Sequence, residues 1–459
     1  MPPFWEMKTD KPREIALKIL GGQINSSLQR ENDAEELFRH YGLDERDRAF
    51  VNNIVQGVLR WRLRLDWIIR QFSAFSLKKI DEDILNILRM AVYQIFFMDR
   101  VPESAAVNEA VNLAVSIKSP RHVISFVNGI LRTVCRSRDE IRFPDREIDR
   151  AQYLSVFYSY PGWLADKWIM EMGGDSTEAL FSAQNRFPDI NIRVNTLRIS
   201  RDALIESLTR EGINAGPLAW SPQGIVLEGF RGRVDSLTAF KNGLFQVQDQ
   251  AAQIASHLLS VEPGDMVLDI CAGFGGKSSH MVELMGGKGQ VVSLDNNKER
   301  LIKSASNAER LGMKNILPIE ADASMPLSSL FKCKFKRVII DAPCSGLGVI
   351  SRHPDIKWNR RDEDIPRLAA MQKRFLNAAV SVVEKGGELL YVVCTVSREE
   401  NEGVVRDFLE RNSDMSLVNL RKRAPEWCQD LIDDQGCYRT YPHIHNMDGF
   451  FAALFSKGE

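Results

Sequence analysis

The sequence predicts an all-α bundle, then a small α+β module, then a doubly wound α/β domain, over residues 1–142, 143–245 and 246–459. Three observations lead there. A chain of 459 residues exceeds the size at which one hydrophobic core keeps growing. Its first third repeats apolar residues at helical spacing with few breakers. From residue 246 onward, short apolar runs alternate with helical patterns, as in a parallel sheet wrapped by helices.

In the first segment Ile15, Ile19 and Leu20, then Phe50, Ile54 and Val58, then Ile84, Leu85, Leu88, Ala91, Val92 and Ile95 mark the inner faces of successive helices. Asp81 before Asp83-Ile84-Leu85, and Pro102-Glu103-Ser104 before Ala105, read as helix starts. Asn128-Gly129 reads as a mild interruption of the last helix. In the module, a helical pattern from Trp163 to Trp168 is followed by strand-like Ile190 to Val194 and Ile225 to Leu227, with a helix from Asp202 to Arg210 between them. In the third segment Met266 to Ile270, Gln290 to Asp295, Val338 to Asp341 and Glu388 to Val393 suit strands buried on both faces. A ligand then belongs at the carboxyl ends of those strands.

Composition narrows the class. With 44% hydrophobic and 26% charged residues the chain is ordinary globular protein. A formal net charge of -1 means that any nucleic-acid contact must come from local basic patches. Met1 to Lys8 lacks the apolar core of a secretory leader, and no stretch approaches the roughly 20 apolar residues of a membrane span, so a cytoplasmic protein is expected. Seven cysteines without a C-x-x-C pair indicate free thiols, with neither a disulfide framework nor a metal site.

The first strand of the third segment ends in Cys271-Ala272-Gly273-Phe274-Gly275-Gly276-Lys277, a turn that lets backbone approach a nucleoside ligand closely. Asp295, at the end of the next strand, is placed to accept from ribose hydroxyls. A P-loop is excluded because its first glycine would be Cys271, and the dinucleotide fingerprint breaks at Ser278. A mere tight turn is the plain alternative, but Asp322 and Asp341 at the ends of the third and fourth strands add to the acids on one edge. Cys344 in Pro343-Cys344-Ser345 and Cys394 in Val393-Cys394-Thr395 follow strands at that same edge. A single cysteine is usually an inert core residue; two at equivalent strand ends beside such a turn point to nucleophilic chemistry.

Together these residues resemble the RsmB/Sun family of bacterial RNA cytosine-5 methyltransferases, and the resemblance covers nearly the whole chain. The N-terminal segment is similar to that family's NusB-like RNA-binding domain through Arg46-Asp47-Arg48, Gly57-Val58-Leu59-Arg60-Trp61, Tyr93-Gln94 and Val127-Asn128-Gly129-Ile130-Leu131-Arg132. The third segment then corresponds to a Rossmann-like domain using S-adenosylmethionine. The resemblance implies that Cys271 to Lys277, Asp295, Asp322 and Asp341 hold that cofactor. It assigns Cys394 as the nucleophile and Cys344 as the group assisting product release, with Asp341 beside the reacting base. Carbon 5 of cytosine becomes nucleophilic once a thiolate adds to carbon 6. The loop departs from the usual Cys-Ala-Ala-Pro-Gly-Gly-Lys by carrying Gly273 and Phe274 in place of the Ala-Pro pair.

The implied substrate is 16S ribosomal RNA, acted on by a monomer without metal or membrane. Transfer RNA as substrate, or a non-catalytic RNA-binding assembly factor, are the other readings. Trp61 to Trp67 and the series Arg121, Arg132, Arg136, Arg138 and Arg142 are candidates for phosphate contacts, against the plain alternative of a solvated arginine face and of core packing for Trp61 and Trp67; the better candidate is Ser351 to Arg361, with Arg352, His353, Lys357, Trp358, Arg360 and Arg361.

Overall fold

The computed structural model describes residues 10–22 and 27–459, the side chains of 27–33 excepted; the opening stretch Met1 to Lys8 lies outside them. The chain forms two compact units, one of residues up to Asn185 together with His353–Asn359, the other of Arg186–Arg352 with Arg360–Glu459.

The first unit is helical: α1 (Lys11–Gly21), α2 (Ser27–Tyr41), α3 (Glu45–Phe72), α4 (Glu82–Phe97), α5 (Glu103–Ser116), α6 (Arg121–Arg136), α7 (Arg150–Tyr158), α8 (Gly162–Met172) and α9 (Gly174–Gln184). Val51, Ile54, Val58, Leu65 and Ile69 form the buried stripe of α3, and Ile84, Leu88 and Val92 that of α4. Asp81 caps α4 by accepting from the backbone N–H of Asp83 at 3.0 Å and Ile84 at 3.3 Å, as its position suggested. The expected break at Asn128-Gly129 is absent. α6 runs through it because Val127, Ile130, Leu131 and Val134 are buried on one face and no proline removes a donor.

The second unit begins with β1 (Ile190–Val194), α10 (Arg201–Arg210), β2 (Ala215–Pro217), β3 (Gly224–Leu227), α11 (Thr238–Lys241) and β4 (Phe245–Val247). Their strands make an antiparallel sheet in the order β2-β3-β1-β4. There follow α12 (Gln250–His257), β5 (Met266–Ile270), α13 (Gly276–Leu284), β6 (Gln290–Asp295), α14 (Lys298–Leu311), β7 (Ile316–Glu320), α15 (Leu327–Leu330) and β8 (Phe335–Asp341). The short α16 (Ile356–Asn359) groups with the first unit. The chain ends with α17 (Asp364–Val380), β9 (Val383–Val393), α18 (Glu402–Arg411), β10 (Met415–Val418), β11 (Tyr438–Arg439), α19 (Pro442–His445) and β12 (Phe451–Lys457).

The larger sheet runs β10-β12-β9-β8-β5-β6-β7 and is parallel from β9 to β7; β12 enters antiparallel between β9 and β10, with β11 beside it. Successive residues of β5 and β8 bury on opposite faces: Leu268, Ile270, Val338 and Ile340 in one core, Val267 and Ile339 in the other. Double burial is why these strands read as continuous apolar runs. The chain leaves β5 to build β6 and β7 on one side, then crosses to β8 and β9 on the other. That reversal opens a crevice at the carboxyl ends of β5 and β8. No helix among the described residues is long and apolar enough to cross a membrane.

Candidate active site

The turn after β5 is built from backbone that few side chains tolerate. Cys271, Gly273 and Gly275 have φ of 63°, 56° and 75°, the left-handed region where a β-carbon is strained. A β-carbon on Gly275 would collide with Ser304 Oγ, so glycine is favoured there, whereas at Gly273 it would meet only the Cys271 carbonyl oxygen at 4.0 Å, an ordinary contact. Gly273 therefore presents bare backbone. Beneath the turn, Asp269 is fully buried and accepts from Ser278 Oγ at 2.5 Å, and burial pushes its carboxyl up to about 7. Burial, followed by the surrounding acids, also raises the Cys271 thiol, which suits a structural thiol rather than a nucleophile.

Asp295 accepts from Gly273 N at 2.9 Å and Asn297 N at 2.8 Å, one bond to each carboxylate oxygen. Each oxygen retains a lone pair for a hydroxyl donor. Asp322 stands two residues past β7 on the exposed rim, its pKa lowered by the Ser324 N–H. Asp341, at the end of β8, pairs with Lys277 Nζ at 2.5 Å, and the ammonium lies 5.6 Å from the Phe450 ring centroid. Phe274, one of the departures noted in the loop, is 43% exposed. Its ring lies 5.9 Å from Lys303 Nζ.

The two strand-end thiols meet. Cys344 Sγ and Cys394 Sγ are 3.1 Å apart, fifty residues distant in sequence but each just beyond the carboxyl end of one of the adjacent parallel strands β8 and β9. The contact with Cys394 and then burial raise the Cys344 thiol well above its ordinary value. Below them sits Glu400, which accepts from Ser345 N at 2.8 Å, Ser345 Oγ at 2.5 Å and Gln372 Nε2 at 2.9 Å, with Thr395 Oγ1 at 3.3 Å.

Two arginines brace the site: Arg193, which sequence reasoning missed, and Arg352, which it placed among the phosphate contacts. Arg193 of β1 is fully buried and donates twice to Glu283, each at 2.9 Å, and to Gly276 O and Ser279 Oγ at 2.8 and 3.0 Å, fastening the start of α13. Arg352 joins Asp249 at 2.6 Å and Asp448 at 2.9 Å. This overturns part of the expected phosphate-binding segment. Arg352 is engaged by carboxylates, Arg360 donates to the carbonyls of Ser345 and Cys344, and Lys357 is buried, leaving Arg361 as its exposed cation. On and after α6, Arg121, Arg132, Arg136, Arg138 and Arg142 are exposed as expected.

Comparison with known proteins agrees with this architecture. Residues 256–456 match the family described as 16S rRNA methyltransferase RsmB/F, residues 10–136 the NusB family, and residues 160–233 an RsmF/B-like ferredoxin-like domain. The chain is 32% identical over 454 residues to a probable ribosomal RNA small subunit methyltransferase B of Bacillus subtilis strain 168, covering 98% of this chain and all of that one. It is 34% identical over 415 residues to ribosomal RNA small subunit methyltransferase B of Escherichia coli O6:K15:H31, covering 90% of this chain and 92% of the relative. The crystal structure titled PH0851 superposes with a TM-score of 0.81 at 27% identity, covering 98% of this chain and 99% of that one. A relative above 30% identity along essentially the full length fixes the family: this chain is a methyltransferase of the RsmB/Sun family of ribosomal RNA small subunit enzymes.

Proposed function

We propose that the protein transfers a methyl group from S-adenosylmethionine to carbon 5 of one cytosine in 16S ribosomal RNA, through a covalent adduct on Cys394, in the cytoplasm. The observation that carries the reading is the 3.1 Å contact between the Cys344 and Cys394 thiols at the switch-point edge. The substrate class follows the relatives, which are named for small-subunit ribosomal RNA. Neither transfer RNA as substrate nor a non-catalytic RNA-binding assembly role has an observation that favours it over this reading.

The residues present fit the cofactor. The open backbone at Gly273 and the remaining acceptor capacity of Asp295 suit a nucleoside, and Lys277 offers a cation for a carboxylate. Asp322 and Asp341 complete the acidic rim. When bound, S-adenosylmethionine supplies an electrophilic methyl group. The chain's own residues make the cytosine receptive. Cys394, as thiolate, forms the bond to carbon 6, and the displaced electron pair moves toward carbon 5 and the N3 edge. Asp341 supports that edge by hydrogen bonding or proton donation. After methylation the carbon 5 proton leaves with help from Cys344, the sulfur–carbon bond breaks, and its electrons return to Cys394.

Bisulfite sequencing of ribosomal RNA from a strain lacking the gene tests the proposal. One small-subunit cytosine should lose protection; an unchanged pattern would overturn it. RNA carrying 5-fluorocytidine should trap the wild-type protein and leave Cys394→Ala untrapped.

A further inference from the structure

We infer that Glu400 is the positioning residue for the Cys344 side of the thiol pair, and that through it the protein governs release of the methylated base. The inference rests on the cysteine roles proposed above and deepens them.

Glu400 touches neither sulfur. It and its partners Ser345, Thr395, Gln372 and Tyr391 are each 0% exposed. Its carboxylate takes the N–H and the hydroxyl of Ser345, the residue next to Cys344, while Thr395, next to Cys394, reaches it by a single longer contact of 3.3 Å. Gln372 Nε2 binds both Glu400 and Pro343 O, the latter at 3.0 Å, so the residue before Cys344 is tied to the same group. Tyr391 OH fixes the assembly by donating to Glu400 O at 2.8 Å and lies 3.0 Å from Gln372 Oε1. Arg360 holds the carbonyls of Ser345 and Cys344 at 3.0 and 3.3 Å. The backbone on both sides of Cys344 is thereby anchored, mostly through one buried acid. The Cys394 side is also held by the sheet, since Val393 at the end of β9 pairs with Phe451 of β12.

The chemistry requires a carboxylate. The Ser345 N–H and hydroxyl and the Gln372 amide converge on it, with Thr395 Oγ1 lying 2.7 Å from Ser345 Oγ and 3.3 Å from the carboxylate, and a group with two acceptor oxygens and no hydrogen meets the three of them. In Glu400→Gln one oxygen becomes an NH2 that faces donors, so the Cys344 loop is released while Cys394 keeps its own anchor. Attack and methylation then proceed, but removal of the carbon 5 proton, with return of the sulfur–carbon electrons to Cys394, slows.

The test compares wild type, Glu400→Gln, Ser345→Ala and Cys344→Ala on an unmodified small-subunit rRNA fragment with S-adenosylmethionine. The readouts are single-turnover methyl incorporation, steady-state turnover, and RNA–protein complex that survives SDS. For Glu400→Gln, turnover should fall about a hundredfold, as for misplaced reacting groups, with single-turnover incorporation retained and SDS-stable complex accumulating. Its KM for S-adenosylmethionine should stay within about twofold of wild type, since only a transition-state interaction is lost. Ser345→Ala removes one hydroxyl, and should show the same pattern with turnover about tenfold lower; it decides the matter should Glu400→Gln not fold. If Cys344→Ala accumulates complex and Ser345→Ala and folded Glu400→Gln do not, the positioning role is overturned while the cysteine roles stand. If Cys344→Ala accumulates none, the cysteine assignment falls and this inference with it.

Discussion

Arg193 is a charge with no water around it, so its loss should be felt well beyond the contacts it makes. Arg193→Ala would leave Glu283, 1% exposed in its side chain, buried and unpaired, which costs about 3–5 kcal/mol. Urea unfolding should show that drop, and Arg193→Met combined with Glu283→Met should recover most of it. A recovery no better than the single variant would refute the assignment. His257 gives a second residue-scale prediction. Burial holds its imidazole down to about 4, with Gln223 Oε1 at 2.8 Å and the His280 ring at 5.1 Å. A depressed folded pKa means the stability is present above the unfolded value near 6.5 and is lost as pH falls through the folded one. Wild type should therefore lose about 3 kcal/mol relative to His257→Gln between those limits, read from paired urea titrations. A pH-independent difference would refute it. The residues that sequence could reveal were those whose meaning is local: the glycine turn, the strand-end acids and the two thiols. Arg193, Glu400 and Arg352 act on partners 90, 55 and 96 to 103 residues away, a pairing that no window of sequence contains.

Among the elements, the crossing of α3 and α4 depends on one absent side chain. A β-carbon on Gly57 would overlap the Tyr93 ring, whose hydroxyl donates to Asn53 Oδ1 at 2.7 Å and whose face stacks on Phe97 at 5.5 Å. Gly57→Ala should destabilise by about 1–3 kcal/mol through overpacking, seen as a lower Tm. In a Tyr93→Ala background the same change should cost almost nothing, since its obstacle is gone; equal costs in both backgrounds would show that the ring is not the cause. Gly57 and Tyr93 both stand in the segments that carried the family resemblance, and the packing supplies a physical reason for the pair. Strands β5, β6, β8 and β9 were legible because burial on both faces leaves a run of apolar residues. β12 was not. Its antiparallel place between β9 and β10 is a matter of which edge the chain returns to, and strand composition does not encode that. The supposed break at Asn128-Gly129 failed for the opposite reason, as the buried face of α6 outweighs the weak local propensity of those two residues.

At the scale of the whole molecule, the compact units follow contacts rather than contiguous sequence. α7, α8 and α9 group with the bundle, the four-stranded sheet groups with the larger one, and His353–Asn359 belongs to the first unit although it lies inside the stretch matching the methyltransferase family. Lys357 is the reason that excursion holds. Its buried side-chain nitrogen bonds Arg60 O at 2.9 Å, Ser159 O at 3.0 Å and Asn185 Oδ1 at 2.8 Å, above the Tyr160 ring at 3.9 Å. Trp358 Nε1 adds a bond to Leu59 O at 2.6 Å. A basic, aromatic stretch thus reads in sequence like a phosphate-binding loop, while in the fold its lysine and tryptophan serve the interior of the helical unit. Lys357→Met keeps the stem's bulk and removes the donors, orphaning buried acceptors at a cost of about 2 kcal/mol. Hydrogen exchange should then show weaker protection at the amides of α3 and α7, with β5 and β8 unchanged, although residue 357 follows β8 in the chain. Protection lost in β5 and β8 and kept in α3 would mean that Lys357 supports the unit its sequence neighbours belong to.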